Sequence, residues 1–313
     1  MIALARTYLQ RIGLIATLVL ICAGASHAQA TAPTANTTDL ASELREFGNI
    51  DLLVFDGRED FLRQIDEALG LGNIKNPDQT FAKLPRSPFT LTGRKGNAAL
   101  ATCRIFVPVR ITPENNTEIF AELMRNWFGT RLNYASNADL TYRWLIFHEV
   151  RHCRPDHFGG DDLKDHSDEH EADLFAFDAL ANTHNRDQLA TDIIAFRMIT
   201  SALIAEPSHM TGLSLKHALE RPNEAPTFDA KQEMVAFRAV RRMISQRANS
   251  IATAANPTNR ELIRAITELR SEIDQTTVPA NNPLIADILN ALDNAIAHFA
   301  PDLHQSVANV RAN

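Results

Sequence analysis

The sequence lacks the features that mark several large classes of protein. It has no excess of basic residues, because 31 Lys and Arg stand against 38 Asp and Glu, which gives a formal net charge of −7. A general nucleic-acid-binding protein needs a basic surface, so no nucleic-acid partner is expected. Aromatic residues make up only 7% of the chain, cysteines number three, and no internal repeat is visible. What remains is the composition of an ordinary globular protein.

The start of the chain also lacks an apolar run of the roughly 20 residues that a membrane-spanning helix needs. Its run IGLIATLVLICAGA has about 14 residues, follows Arg6 and Arg11, and ends in the small residues of SHA and AQA. This order is typical of a secretory signal peptide. We therefore expect residues 1–28 to be a signal peptide, with an uncleaved anchor as the alternative, and residues 29–39 to be a flexible linker. The mature protein would be exported, either periplasmic or secreted, without a stable membrane span.

Export would place the cysteines in an oxidising compartment, where disulfides form. Cys22 belongs to the expected signal peptide, which leaves Cys103 and Cys153 as an even pair in an oxidising compartment. A disulfide between them would close a loop of about 50 residues and contribute about 4 kcal/mol to stability. The alternative is two buried free thiols.

The hydrophobic pattern predicts an α+β fold that is mostly α-helical, with a small N-terminal sheet and a C-terminal helical region. Residues 89–111 are rich in β-branched and aromatic residues and predict two or three strands. Pro108 indicates that the last of them is an edge strand, because proline cannot donate to a ladder; this strand could hold an extended peptide.

Beyond these strands the sequence predicts helices. They cover residues 112–128, residues 139–154 up to Pro155, a segment from about Ser167, and residues 186–205, where Arg197 interrupts an apolar run. A Pro-rich hinge at residues 220–229 then precedes three amphipathic helices.

One short stretch, HEVRH, carries chemistry. On a helix, His148 and His152 leave the same face, so both imidazoles could reach one metal ion. Glu149 could contact a water molecule on that ion without ligating it. HExxH on a helix is typical of zinc hydrolases, although two histidines of this spacing could also be buried without a metal.

Zinc in a catalytic site needs a third protein ligand, and an acidic helix start, DEHEADLFAFDAL, follows HEVRH. Here the sequence resembles the gluzincin metallopeptidases, in the form seen in their HtpX-type and ImmA/IrrE-type branches, over about residues 140–182. In this family a second helix supplies a glutamate in a Glu-x-x-Ala-Asp context. The resemblance implies a zincin-like metallopeptidase domain with one Zn²⁺ per chain, held by His148, His152 and Glu169. Glu149 would be the general base and a peptide or protein the substrate.

Three residues near the expected ligands also have predicted roles or partners. Glu171 is the alternative third ligand, although with Asp168 it also fits a helix-capping pair. Asp173 falls on the face of Glu169 and could accept the outer N–H of a zinc-bound histidine. Arg151 lies near His148 on the helix and must either reach water or pair with an acid such as Asp161 or Asp162.

The reaction's oxyanion would need a further donor. His209, in EPSHMTGL, is the candidate chosen, and Tyr134 and Tyr142 also lie within reach in sequence. The segment over residues 154–170 adds His157, His166 and His170 among aspartates. It could be a second metal site or a calcium loop, but a polar surface loop is the favoured interpretation.

Together these patterns predict a metallopeptidase domain over residues 40–220 and a helical region over residues 221–313. The predicted function is that of an exported zinc metallopeptidase. The alternative is an exported metal-binding or interaction protein that keeps a zincin scaffold without catalysis.

Overall fold

The structure is a computed structural model that describes residues 40, 42–73, 78, 81, 89–91, 94–95, 98–99, 102–114, 136, 138–154, 161–203, 206–275 and 283–311. The predicted signal peptide, the linker and most of the predicted helix over residues 112–128 lie outside the described residues. The described part is mostly helical with a small sheet near its start, which confirms the predicted α+β, mostly α-helical class. Among the described helices, none is both long and apolar enough to cross a membrane.

The larger sheet contains three described strands. They are β1 (Ile50–Phe55), β2 (Phe89–Leu91) and β5 (Cys103–Pro108), in the order β1–β5–β2. Strand β5 pairs with β1 in parallel, from Ile50↔Cys103 to Phe55↔Pro108, and with β2 antiparallel, through Phe89↔Phe106. Along the chain, between β2 and β5, the strands β3 (Arg94–Lys95) and β4 (Ala98–Ala99) form a separate antiparallel pair.

The prediction that the strand containing Pro108 is an edge strand is wrong, because β5 is the central strand of this sheet. Pro108 is its last residue, and the ladder continues past it through the N–H of Val109, which donates to the carbonyl of Phe55 at 2.9 Å. Proline lacks only its own N–H, so the end of a strand tolerates it in a central position.

Strand β5 is buried on both faces, as a central covered strand should be. Ile105 and Val107 point into a core shared with the helices that follow, while Phe106 points to the opposite side. There it packs with Phe61 of α1 (Gly57–Leu69), whose amphipathic face covers the sheet.

Four helices and a 3₁₀ turn form the part of the protein that contains the HEVRH motif. They are α2 (Ala138–His152), α3 (Asp162–Ala179) and α4 (Arg186–Leu203), followed by a 3₁₀ turn (Pro207–His209) and α5 (Gly212–Glu220). Helix α2 ends before Pro155, as predicted. Helix α3 begins five residues earlier than the predicted start at Ser167, because the side chain of Asp161 caps it by accepting hydrogen bonds from the N–H groups of Leu163 and Lys164.

A disulfide joins Cys103 to Cys153, with a Cα–Cα distance of 5.6 Å. Cys103 is the first residue of β5, and Cys153 directly follows the last residue of α2. The bond therefore ties the end of α2 that carries His152 to the sheet.

The C-terminal part consists of α6 (Ala230–Ile251), α7 (Asn259–Gln275), α8 (Pro283–Phe299) and α9 (Pro301–Arg311). The described residues thus contain four helices after the hinge where three were predicted, because Pro301 starts a separate helix. Their apolar faces form one core with the second half of α4, including Met198 and Ile199. The first half of α4, through Leu189 and Ile193, belongs to the core around α2, so α4 links the two regions.

Candidate metal centre

Helix α2 presents the two histidines of the motif toward the interior. His148 and His152 are one turn apart, and their Nε2 atoms lie 3.2 Å from each other. Both residues are buried, as are most side chains of this helix. Two imidazole nitrogens facing each other at this distance, away from water, are placed to bind one cation.

Helix α3 brings Glu169 to the same point. Ala172 and Ala176, both fully buried on this helix, leave little side-chain bulk between α3 and its neighbours. The carboxylate lies with Oε2 at 3.4 Å from Nε2 of His148 and Oε1 at 3.7 Å from Nε2 of His152.

These separations suit a tetrahedral metal site. Ligand atoms at 2.0–2.2 Å from one ion lie roughly 3.3–3.6 Å apart in a tetrahedron. The two Nε2 atoms, 3.2 Å apart, and Oε2 of Glu169, 3.4 Å from Nε2 of His148, lie within about 0.1 Å of that range. The distance of 3.7 Å to Nε2 of His152 belongs to the other oxygen of the same carboxylate, Oε1. The buried group His148, His152 and Glu169 could therefore hold a metal ion, and it is the one such group among the described residues.

The alternative ligand, Glu171, faces away from the cluster. It forms an ion pair with Arg151 of α2, and half of its side chain is exposed. The expectation that Arg151 would reach water or pair with an acid is therefore met by an acid, although that acid is Glu171 rather than one of the two examples given, Asp161 and Asp162. The predicted capping pair of Asp168 with Glu171 is absent, because Asp168 lies in the second turn of α3, where it pairs with Lys164.

Asp173 lies behind His148, where the sequence placed it. Its Oδ1 is 2.9 Å from Nδ1 of His148, and the residue is fully buried. An acceptor on the outer nitrogen fixes the ring so that Nε2 faces the cluster.

Arg197 of α4 is a partner that the sequence analysis missed. Its Nη2 donates to the same Oδ1 of Asp173 at 2.6 Å, and its guanidinium lies over the ring of Trp144 at 5.7 Å. The ring of Trp144 is in turn 5.7 Å from that of His148. The available signal was the lone arginine inside the apolar run of α4.

The ionisation of the cluster follows from these contacts. Burial lowers the pKa of His148, but hydrogen bonds to Asp173 and Glu169 outweigh it and raise that pKa to about 10. Burial raises the pKa of Glu169, yet the hydrogen bond with His148 and the nearby histidines bring it well below its ordinary value. For Asp173, burial acts upward and the charge of Arg197 downward, and the pKa is lowered. The two carboxylates thus favour positive charge at the cluster.

His209 borders the cluster, and Glu149 follows one of the cluster's histidines in the chain. Glu149 is half-buried and follows His148 on α2, and its negative charge contributes to the raised pKa of Arg197. Nε2 of His209 lies 3.3 Å from Oε1 of Glu169, and 45% of the His209 side chain is exposed. His209 therefore stands between the buried cluster and the solvent.

The segment that carries His209 is held by a buried network. Nε2 of His166 donates to the carbonyl of Met210 at 3.0 Å and lies 3.2 Å from Oε2 of Glu233. The other oxygen of Glu233, from α6, accepts the N–H groups of Leu213 and Ser214 at 2.9 and 3.0 Å.

The remaining predicted residues of the site fall elsewhere. His166 and His170 lie on α3, so this part of the segment predicted as a surface loop is helical, and His157 lies outside the described residues. Tyr142 is buried in the core, where burial raises its pKa to about 12, and Tyr134 is likewise outside the described residues.

Comparison with known proteins does not assign this chain to a family. No protein-family model matches the chain, and neither the curated proteins nor the solved structures contain a match.

Proposed function

We propose that this protein is an exported zinc-dependent metallopeptidase with a zincin-like domain. The observation that carries the proposal is the buried cluster of two imidazole nitrogens and one carboxylate, which could hold a metal ion, with Glu149 next to it in sequence. Three protein ligands that leave a fourth position open are typical of catalytic zinc, and the N,N,O donor set suits zinc.

The residues around the cluster have complementary parts in peptide hydrolysis. Zinc, when bound, would polarise a peptide carbonyl and make a water molecule more acidic. Glu149 would accept the proton from that water and deliver it to the leaving amine. Asp173 would hold His148 in the tautomer that presents Nε2. His209, at the exposed side of Glu169, would donate to the oxygen that gains negative charge.

Export is part of the proposal and has separate support. The signal-peptide pattern of residues 1–28 and the disulfide of Cys103 with Cys153 both fit an oxidising compartment, periplasmic or outside the cell.

The test compares cleavage of casein by the zinc-loaded protein and by its Glu149→Gln variant. We expect the variant to retain zinc and to lose roughly 100-fold or more in rate, because the general base is gone. Glu67→Gln is the matched control, since Glu67 lies on the exposed side of α1. Equal cleavage by the Glu149→Gln variant and the wild type would refute the proposal.

A second candidate function is metal binding without turnover, on the same scaffold. The observation that favours it is the burial of the ligands, whose side chains are 8%, 4% and 5% exposed for His148, His152 and Glu169. In the same experiment this function predicts that zinc is retained while no cleavage depends on Glu149.

A further inference from the structure

Arg197 is a charged side chain in the interior of the protein. It lies in the second half of α4, is 8% exposed, and is followed by the fully buried Met198 and Ile199. Removing a guanidinium from water is costly unless its charge is compensated. The reason for its position should therefore lie in the charges that surround it.

The contacts of Arg197 lead to His148 by two routes. Nη2 donates to Oδ1 of Asp173, the same oxygen that lies 2.9 Å from Nδ1 of His148. The guanidinium also covers Trp144, whose ring neighbours that of His148. Arg197 is thus next to the centre but does not touch its three ligand atoms in any described contact.

The charges around the centre show what Arg197 does there. Glu169 and Asp173 are carboxylates with 5% and 0% of their side chains exposed. Arg197 carries a permanent positive charge and is paired with one of these two carboxylates, Asp173. The charge of Arg151 is instead paired with Glu171, a half-exposed residue outside the cluster. When the cluster holds no cation, Arg197 balances one of two buried negative charges. When it holds a divalent cation, Arg197 and the cation repel each other.

We propose that Arg197 is the internal counter-charge of the metal centre. It stabilises the folded protein before the metal binds, and it weakens the binding of the metal afterwards. The inference rests on the proposed zinc site but not on peptidase activity, so the loss or presence of cleavage leaves it untouched.

The test measures the zinc dissociation constant by competition with a chromophoric chelator, together with the Tm of the zinc-free protein. We expect Arg197→Met to bind zinc roughly tenfold more tightly or better, because one nearby positive charge is removed. Its zinc-free form should have a lower Tm, and zinc should raise that Tm by more than it does in the wild type. Arg197→Lys keeps the charge and should bind zinc with nearly wild-type affinity.

Arg247→Met is the matched control, because Arg247 pairs with Glu268 and Glu272 in the C-terminal helices. It should leave zinc affinity unchanged. Weaker zinc binding by Arg197→Met would overturn the proposal, since Arg197 would then act by holding Asp173 in place. Equal tightening in the Met and Lys variants would overturn it as well.

Failure of Arg197→Met to fold is also informative. Folding that is restored by zinc supports the proposal. If zinc does not restore it, the double variant Asp173→Asn/Arg197→Met should fold, because the unbalanced carboxylate is gone; continued failure would contradict the counter-charge role. A wild-type protein that binds no zinc would remove both this inference and the metal site, whereas an active Glu149→Gln variant would remove only the proposed peptidase mechanism.

Discussion

Gly212 offers a sharp test of how the elements around the centre are packed, because two effects of replacing it with alanine have opposite signs. Gly212 begins α5, and a Cβ there would lie 2.9 Å from the backbone C and O of Arg197 and 2.9 Å from Cα of Met198. Its backbone is not in the left-handed region, so alanine is allowed by conformation. By helix propensity and chain entropy alone, Gly212→Ala would stabilise the protein by about 0.4–1 kcal/mol.

The contacts reverse that sign. The atoms that Cβ would meet belong to the backbone of α4, which cannot rotate away, so the start of α5 must shift. Overpacking of this kind costs about 1–3 kcal/mol. The shift also strains the hydrogen bond from Gly212 N–H to Ser201 Oγ, 3.1 Å long, worth about 1 kcal/mol. We expect a net destabilisation of about 1–3 kcal/mol.

Urea denaturation followed by circular dichroism would measure this change. Gly72→Ala is the matched control, because Gly72 is exposed, has no atom within 4 Å of a built Cβ, and should be neutral or slightly stabilised. Unchanged or increased stability of Gly212→Ala would refute the close packing of α5 on α4. It would also refute the position of the segment with His209, which connects α4 to α5.

Two further predictions concern the disulfide near the metal centre and His209 beside it. Replacing both Cys103 and Cys153 with serine should lower the free energy of unfolding by about 4 kcal/mol, because the disulfide joins residues 50 positions apart in the chain. A loss below about 1 kcal/mol in urea denaturation would contradict this stabilising role of the disulfide. His209→Leu should lower the rate of casein cleavage roughly 100-fold while zinc stays bound, because a donor is lost and a ligand is not. Loss of zinc from this variant would instead make His209 a ligand.

The parts of the centre that the sequence predicts are those set by local geometry. His148 and His152 share a face because a helix turns every 3.6 residues, and Pro155 marks where that helix stops. Glu169 and Asp173 lie four residues apart on a second helix, so once the first of them is assigned, the position of the other follows. The general class of the fold follows in the same way from hydrophobic periodicity.

The parts that the sequence does not predict depend on contacts between distant segments. Arg197 meets Asp173 across 24 positions and two helices, and no periodicity reports that meeting. The start of α3 was missed because its first turns are acidic and polar, without an apolar stripe. Pro108 misled for a related reason, because the order of strands is decided by which segments pair and not by one residue.

The central claim is that His148, His152 and Glu169 bind one metal ion, and zinc content tests it most directly. Wild type, Glu169→Gln and Glu171→Gln would be dialysed against metal-free buffer, given zinc, washed and measured by elemental analysis. The two substitutions are chemically identical and two residues apart, but one removes a cluster carboxylate and the other the half-exposed partner of Arg151. The account predicts about one zinc per chain in wild type and Glu171→Gln, and a loss of most of it in Glu169→Gln. Zinc absent from the wild type, or lost from Glu171→Gln and kept by Glu169→Gln, would contradict it.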